Sequence, residues 1–459
     1  RRRGGGRQVR RGGVARSAAE DAEADVVVVG SGIGGLCAAG VLASYGSKVV
    51  VVEAHSEPGG AAHGFKARAP KAKGGGEFFF DTGPSFFSGL SGDAAASTNP
   101  LRTVLDSLGV SLPCHRYSSF GLLLPEGQFV HTPDFGREVL PRVSGETGAL
   151  QWRALQAAMA PLAAAVEALP VAALRTDPGA LLTVARFLPN FLSVPGGPLA
   201  AAGLNRPFAA TLDDAGVSDG FTRRWLDLLC FCLSGLPADG TVTAEMAMMF
   251  GEFYKPGAVM DYPIGGARAI VDALVAGLER HGGELRLRQR VAEINVEGGR
   301  ATGVRLAGRA SQPGPVLRAR TAVVCGASVW DTLKLLPQGS VSEQWSRERA
   351  ATPAANSFMH LHVGFDASGL DLKALQAHYV CIHDWQRGVG AEENAVLMSI
   401  PSVEDDSLAP AGCGVLHAYT PATEPWERWA SVRRGSKEYD ELKAERAEFL
   451  WKEVERVIP

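Results

Sequence analysis

The hydrophobic positions change their period along the chain, and the changes mark out its elements. Residues 25–30 read Asp, four valines and Gly, apolar with no helical repeat, which predicts a strand covered on both faces of a parallel sheet. Residues 36–45 follow as a helix stopped at Gly46, the usual place for a glycine just past a helix end. A second valine run over 48–53 closes on Glu53. From 96 to 255 the valine pattern gives way to mostly helical periodicity, with Pro–Gly breaks at 178–179 and 195–198. Within that stretch 225–236 has almost no polar face, as suits either a buried core helix or the wall of a long apolar tunnel. Residues 266–280 are amphipathic and precede Gly282 and Gly283. Next come a strand over 284–288, a hairpin of 290–297 with 300–306 turning on Gly298 and Gly299, and an apolar strand over 320–325. Beyond Pro337, residues 358–365, 379–384, 395–400 and 414–419 alternate like strands of an antiparallel sheet. The last element is a helix over 437–457 with Tyr439, Leu442, Leu450, Val454 and Val457 on one side.

Composition narrows the class without naming a function. With 459 residues, 46% hydrophobic and 21% charged, the chain is neither disordered, collagen-like nor coiled-coil. Its most apolar stretch, 154–174, is broken by Gln156, Pro161, Glu167 and Pro170, so a membrane-spanning helix is not predicted. Peripheral membrane contact stays open, and Arg186 amid Leu182, Phe187, Leu188, Phe191 and Leu192 outlines an interfacial helix. Seven scattered cysteines with no CxxC suggest neither a disulfide framework nor a thiolate zinc site, and fit a reducing compartment. Seven arginines precede the first acid, Glu20, and without them the net charge of −3 becomes −10. Lacking interleaved aromatic residues, this basic arm is unsuited to nucleic acid and has the composition of a transit or targeting segment. Residues 1–24 are therefore set outside the expected fold.

Residues 30–35 read GSGIGG, a GxGxxG motif between the first valine strand and its helix. In a dinucleotide fold Gly30 makes the tight turn, Gly32 lets the backbone approach a pyrophosphate and Gly35 allows close helix-on-strand packing, with Gly34 inside the same turn. The helix N-terminus offers unpaired N–H groups to phosphate. Glu53, 18 residues after Gly35, is placed to accept from adenosine ribose hydroxyls and to repel a 2′-phosphate. Gly59 and Gly60 add a second glycine pair that a nicotinamide site does not need, which favours FAD. The segment around 325–328 has only Gly326, so no second fingerprint for an integral NAD(P)H site is read. No cysteine pair or hydrolytic constellation is read either.

The glycine pair after the acid, FDTGPS over 80–85 with Gly83 in its turn, and YPIGG over 262–266 opening a helix resemble the phytoene desaturase family of flavoproteins, nearest its carotenoid isomerase-like, prolycopene-isomerase-related branch. The resemblance runs from about 25 to 429. It is densest at 26–60, 78–89, 261–306 and 399–417, the last holding SIPS over 399–402, SLAP over 407–410, Leu416 and His417. Retinol saturase shares much of this pattern. The resemblance implies an α/β fold with a two-dinucleotide-binding, FAD Rossmann-like domain at 25–95 and 256–336. An α+β substrate domain at 96–255 and 337–432 interleaves with it, and a helix at 433–459 returns to the FAD domain. It also implies that the backbone of Val291 touches the adenine, that the ligand is a hydrophobic polyene, and that the chain works in a plastid. A further glycine- and acid-bearing segment is expected after the last helix, so the chain reads as a fragment at both ends. The activity implied is FAD-dependent cis–trans isomerisation of a carotenoid; a redox flavoenzyme of desaturase, saturase or amine oxidase type, or a carotenoid or flavin carrier, are the alternatives. Catalytic residues are not assigned, although Tyr262 and Glu245 fall on the expected substrate side. His360, His362, His383 and His417 read either as a polar face of the late sheet or as ligands for non-haem iron, and no metal is assigned.

Overall fold

In a computed structural model of the chain, residues 22–69, 75–83, 85–91, 99–168, 202–255, 257–308 and 312–458 are described, with isolated positions between 179 and 200. The arm at 1–21, the Arg186 segment and most of the Pro–Gly breaks at 178–179 and 195–198 lie outside the described residues. The chain divides into two compact units, Arg1–Pro58 with His281–Ala351, and Gly59–Arg280 with Thr352–Pro459. These boundaries differ from those expected for cofactor and substrate domains, because compactness follows packing and the expected domains follow ligand contacts.

The first unit is built on a six-stranded sheet in the order Glu284–Arg286, Val49–Val52, Ala22–Val29, Val316–Cys325, Arg300–Leu306, Val291–Glu297. The first four strands are parallel and the last two add a hairpin. Val27 pairs with both Val50 and Val323, and the eight valines of the two runs are at most 7% exposed. Burial on both faces is what continuous valine predicts, each side chain contributing on the order of 1.5 kcal/mol. One boundary is corrected. The first strand begins at Ala22, inside the segment set apart as 1–24, with Ala24 fully buried and paired to Ala319. The helix starts earlier than expected, at Ile33, because Gly32 is already its N-cap, and it ends before Gly46 at φ +90°. The strand from Glu284 stops at Arg286, and Arg288 at φ 59° turns the chain away.

The second unit holds a six-stranded sheet in the order His360–Asp366, Cys413–Tyr419, Ala395–Ser399, His378–Ile382, Phe120–Leu124, Gly127–His131. All neighbours are antiparallel except His378–Ile382 with Phe120–Leu124. The four late segments are strands as expected, but their burial does not alternate: Cys413–Tyr419 is buried through its five middle residues. The hairpin Phe120–Leu124 with Gly127–His131, and Cys114–Tyr117, fall in the stretch read as mostly helical; a short apolar run such as FGLLL carries no period that separates buried strand from buried helix. Helices Gly145–Ala168, Gly220–Ser234 and Thr243–Phe253 form the rest of the core around Phe135, Trp152 and Trp225. The Gly220–Ser234 helix is capped by Asp219, whose side chain accepts from Thr222 N–H at 2.8 Å, and ends at Gly235 in a left-handed conformation. Trp225, Leu226 and Leu228 are core, as the buried-helix reading expects, while Leu233 is 53% exposed. Among the described residues no helix is long and apolar enough to cross a membrane.

Candidate functional site: a phosphate turn and a buried carboxylate cradle

In the first unit Gly30 ends its strand at φ +90°, its N–H donating to Val52 O at 2.8 Å. A Cβ on Gly35 would stand 2.4 Å from Gly30 O, so only glycine lets the helix approach the strand end. Gly32 and Gly34 behave differently. A Cβ at either would meet nothing within 4 Å, and the helix has no side-chain cap. The first-turn N–H groups thus have no side-chain cap, with the partial positive charge of the helix end behind them. Such a cradle suits a pyrophosphate.

Glu53 follows the second strand. Its Oε2 accepts from the N–H and the hydroxyl of Ser31, each at 2.8 Å, and its Oε1 accepts from His55 N–H at 2.7 Å. Burial raises its pKa, but these three donors outweigh burial and hold the carboxyl below its ordinary range. With one donor on it, Oε1 keeps capacity for a ligand hydroxyl. Ser31, fully buried, is a site residue that sequence reading missed, since it occupies a variable position of the motif. Val291 opens its strand opposite Leu306 and is 8% exposed.

In the second unit the other predicted glycines come together. Gly59 has φ +115° and Gly60 φ +58°, and Gly60–Ala62 forms a short 3₁₀ turn. A Cβ on Gly83 would stand 2.6 Å from Ala61 O, and Thr82 Oγ1 donates to His63 O at 2.6 Å. The residue before this turn, Asp81, is 8% exposed. Its Oδ1 accepts from Ala267 N–H at 2.8 Å and its Oδ2 from the Tyr262 hydroxyl at 3.2 Å. Burial pushes Asp81 up to about 6 against those two hydrogen bonds. Gly266, at φ +80°, would bring a Cβ within 2.4 Å of Asp81 Oδ1. The FDTG and YPIGG segments thus form one cradle, with Asp81 at the N-terminus of the helix Ala267–Arg280 and Tyr262 fixed as its donor. Asp405, 3% exposed, supports the same loop by accepting from Gly265 N–H at 2.8 Å and from the Ser407 hydroxyl at 2.6 Å. Pro84 lies outside the described residues.

Three of the four histidines gather and the fourth stands apart. His362 and His417 face each other across neighbouring strands with ring centroids 4.2 Å apart and planes 8° apart. His360 Nδ1 lies 2.9 Å from His417 Nε2, and His362 Nε2 lies 3.0 Å from Asp81 O. His383 instead contacts Glu453 Oε1 at 2.5 Å. Burial lowers His360 to about 4 and His417 to about 2, helped by the neighbouring imidazoles, so the stack is neutral. No group of three side chains that could hold a metal ion is found among the described residues. A cavity of about 1010 Å³ lies against Phe78, Phe80, His362 and Phe365. Another of about 400 Å³ is lined by Phe86, Met248, Met249, Phe253 and Leu233 and includes Glu245. Tyr262, by contrast, is 1% exposed and belongs to the Asp81 cradle.

Residues 33–459 match the family of flavin-containing amine oxidoreductases. The chain belongs to this family. Its cofactor is FAD, and it is an FAD-dependent enzyme. It is similar to the chloroplastic prolycopene isomerase of Daucus carota, 29% identical over 450 residues, which are 95% of this chain and 67% of that protein. A shorter likeness, 42% over 84 residues, links it to the all-trans-retinol 13,14-reductase of Danio rerio, covering 18% of this chain and 12% of that one. Its fold is that of an oxidoreductase of known structure from Methanosarcina mazei, with TM-score 0.59, 17% identity, and coverage of 95% of this chain and 84% of that one.

Proposed function

We propose that this chain is a carotenoid cis–trans isomerase that uses FAD without net oxidation or reduction of its polyene. The likeness to prolycopene isomerase over 95% of the chain carries this reading. The retinol reductase likeness supports only the wider class of flavin chemistry on polyenes. Gly30, Gly32, Gly34 and Gly35 are assigned to the pyrophosphate, Glu53 to the adenosine ribose and Val291 to the adenine, with Gly59, Gly60 and Gly83 on the flavin side of the cofactor. The cofactor domain is accordingly 25–95 with 256–336, the substrate domain 96–255 with 337–432. Plastid localisation, and any contact with a membrane surface, belong to the same reading.

Bound FAD supplies reversible electron donation to a conjugated system. The chain's own part is placement and exclusion of water. First-turn N–H groups and the helix dipole hold the phosphates, and Glu53 accepts from a ribose hydroxyl while Ser31 fixes its orientation. The aromatic and methionine lining of the 400 Å³ cavity offers the polyene an apolar slot. No proton transfer is required in this reaction. The test is to follow conversion of a cis-carotenoid by the reduced FAD enzyme while metering electrons. Many turnovers per electron pair support the proposal; one electron pair consumed or released per product rejects it in favour of a redox enzyme. Pigment that binds without changing favours a carrier.

A further inference from the structure

The cavity of about 400 Å³ in the second unit is apolar over most of its lining yet carries two carboxylates, Glu245 and Glu252. Both stand on the helix Thr243–Phe253, seven residues and so two turns apart, on the face that also presents Met248 and Met249. Glu252 is held by Lys255, whose Nζ lies 3.2 Å from its Oε2. Glu245 is exposed, and its carboxylate has no ion pair among the described residues. No Lys, Arg or His is among the described residues of the lining. Phe86, Leu233 and Met248 are 42%, 53% and 44% exposed, so the apolar wall continues out to solvent.

We propose that Glu245 and Glu252 set the charge selectivity of this cavity, admitting uncharged polyenes, hydrocarbon or alcohol, and turning away polyenes that end in a carboxylate. This rests on the reading of the cavity as a polyene site. The apolar lining brings the effective dielectric below that of water, though less than in a buried site because Glu245 is exposed, so a ligand carboxylate within a few ångströms of Glu245 is repelled more than in water. Because Glu245 is exposed, salt screens this repulsion in part, with a Debye length of about 8 Å at physiological ionic strength. A ligand hydroxyl meets the opposite situation, since it can donate to either carboxylate. Lys255 does not rescue an anion, being engaged by Glu252.

Matched C20 polyenes, retinol and retinoate, serve as probes. Their binding to the FAD-loaded full chain is measured by fluorescence quenching at low and high salt. Retinol is expected to bind at least about tenfold more tightly than retinoate, with the gap narrowing as salt rises. In Glu245→Gln the gap should shrink, and in Glu245→Gln with Glu252→Gln retinoate should come within about threefold of retinol, at unchanged flavin content and unfolding temperature. Equal affinities in the wild type, or a preference that survives in the double variant, would overturn the inference while leaving the polyene site standing. Failure of both probes and of a carotenoid to bind, with FAD retained, would overturn the polyene reading itself and this inference with it.

Discussion

Glycine serves two opposite purposes here, open space and close packing, and each compact unit shows one of them most plainly. In the first, Gly32 and Gly34 keep a space open in front of a helix end, and a side chain there would meet no protein atom. In the second, Gly83 and Gly266 let segments touch, and a side chain there would strike Ala61 O or Asp81 Oδ1. The first unit has a site made by local sequence, strand, turn and helix in one run of about thirty residues. The second has one made by long-range pairing, in which Asp81 is met by Ala267 and Tyr262. A local site is an open receptor; a long-range one is a supported framework. Substitutions should therefore separate ligand loss from fold loss.

The largest effect is expected from Gly35→Val, which drives its Cβ into Gly30 O. More than about 3 kcal/mol of stability should be lost, with amide protection falling over 22–52 in hydrogen exchange. Gly32→Val makes the sharper contrast: thermal unfolding of the apoprotein should stay near wild type while bound flavin, read from its visible absorbance, disappears. A Gly32 variant that keeps full flavin would break the open-receptor half of the comparison.

Acid tests the framework half. The stacked histidines are depressed to about 4 for His360 and about 2 for His417, below the ordinary value of about 6.5. Their contribution is thus complete above pH 6.5 and is lost as pH falls through the folded values, since the unfolded chain takes up protons first. Asp81 has the opposite sign. Raised to about 6 from an ordinary 3.8, it favours the folded state at low pH, and that contribution is lost as pH rises from about 4 to 6. Chemical denaturation from pH 4 to 7 should show Asp81→Asn gaining stability on wild type as pH rises, by about 2–3 kcal/mol across the window. His360→Gln should change relative stability the other way, gaining as pH falls. A parallel response of both variants would contradict the assignments.

Gly266→Ala should cost about 2 kcal/mol from its left-handed backbone and its contact with Asp81, without removing the phosphate turn. Ser31→Ala should cost about 1 kcal/mol by removing one donor to Glu53, seen as a small fall in unfolding temperature and a modest weakening of FAD binding.

The same comparison accounts for what the sequence made legible. The valine runs, the glycine motif, Glu53 and the hairpin turning on Gly298 and Gly299 declare themselves within a few residues, because each is set by local backbone geometry and burial. Ser31 escaped notice because its role depends on the distance between two loop ends. Asp81 fell in a motif that stood out and Asp405 between two that did, yet their partners lie 186 and 140 residues away, and no periodicity carries such a pairing. The strand Phe120–Leu124 was hidden by a continuous apolar run whose partners, Tyr379 to Cys381, come from the far end of the chain. His383 shares the alternating pattern of the other histidines, but a carboxylate on the last helix takes it out of their group.

The central claim is that a flavoprotein framework is used here for bond rotation. Its most direct test is anaerobic incubation of the chemically reduced, FAD-loaded enzyme with a purified cis-carotenoid, followed by mass and absorption spectra of the product. The account predicts a trans product of unchanged mass and an unchanged number of conjugated double bonds. A product lighter or heavier by two hydrogens, with a longer or shorter chromophore, would contradict it.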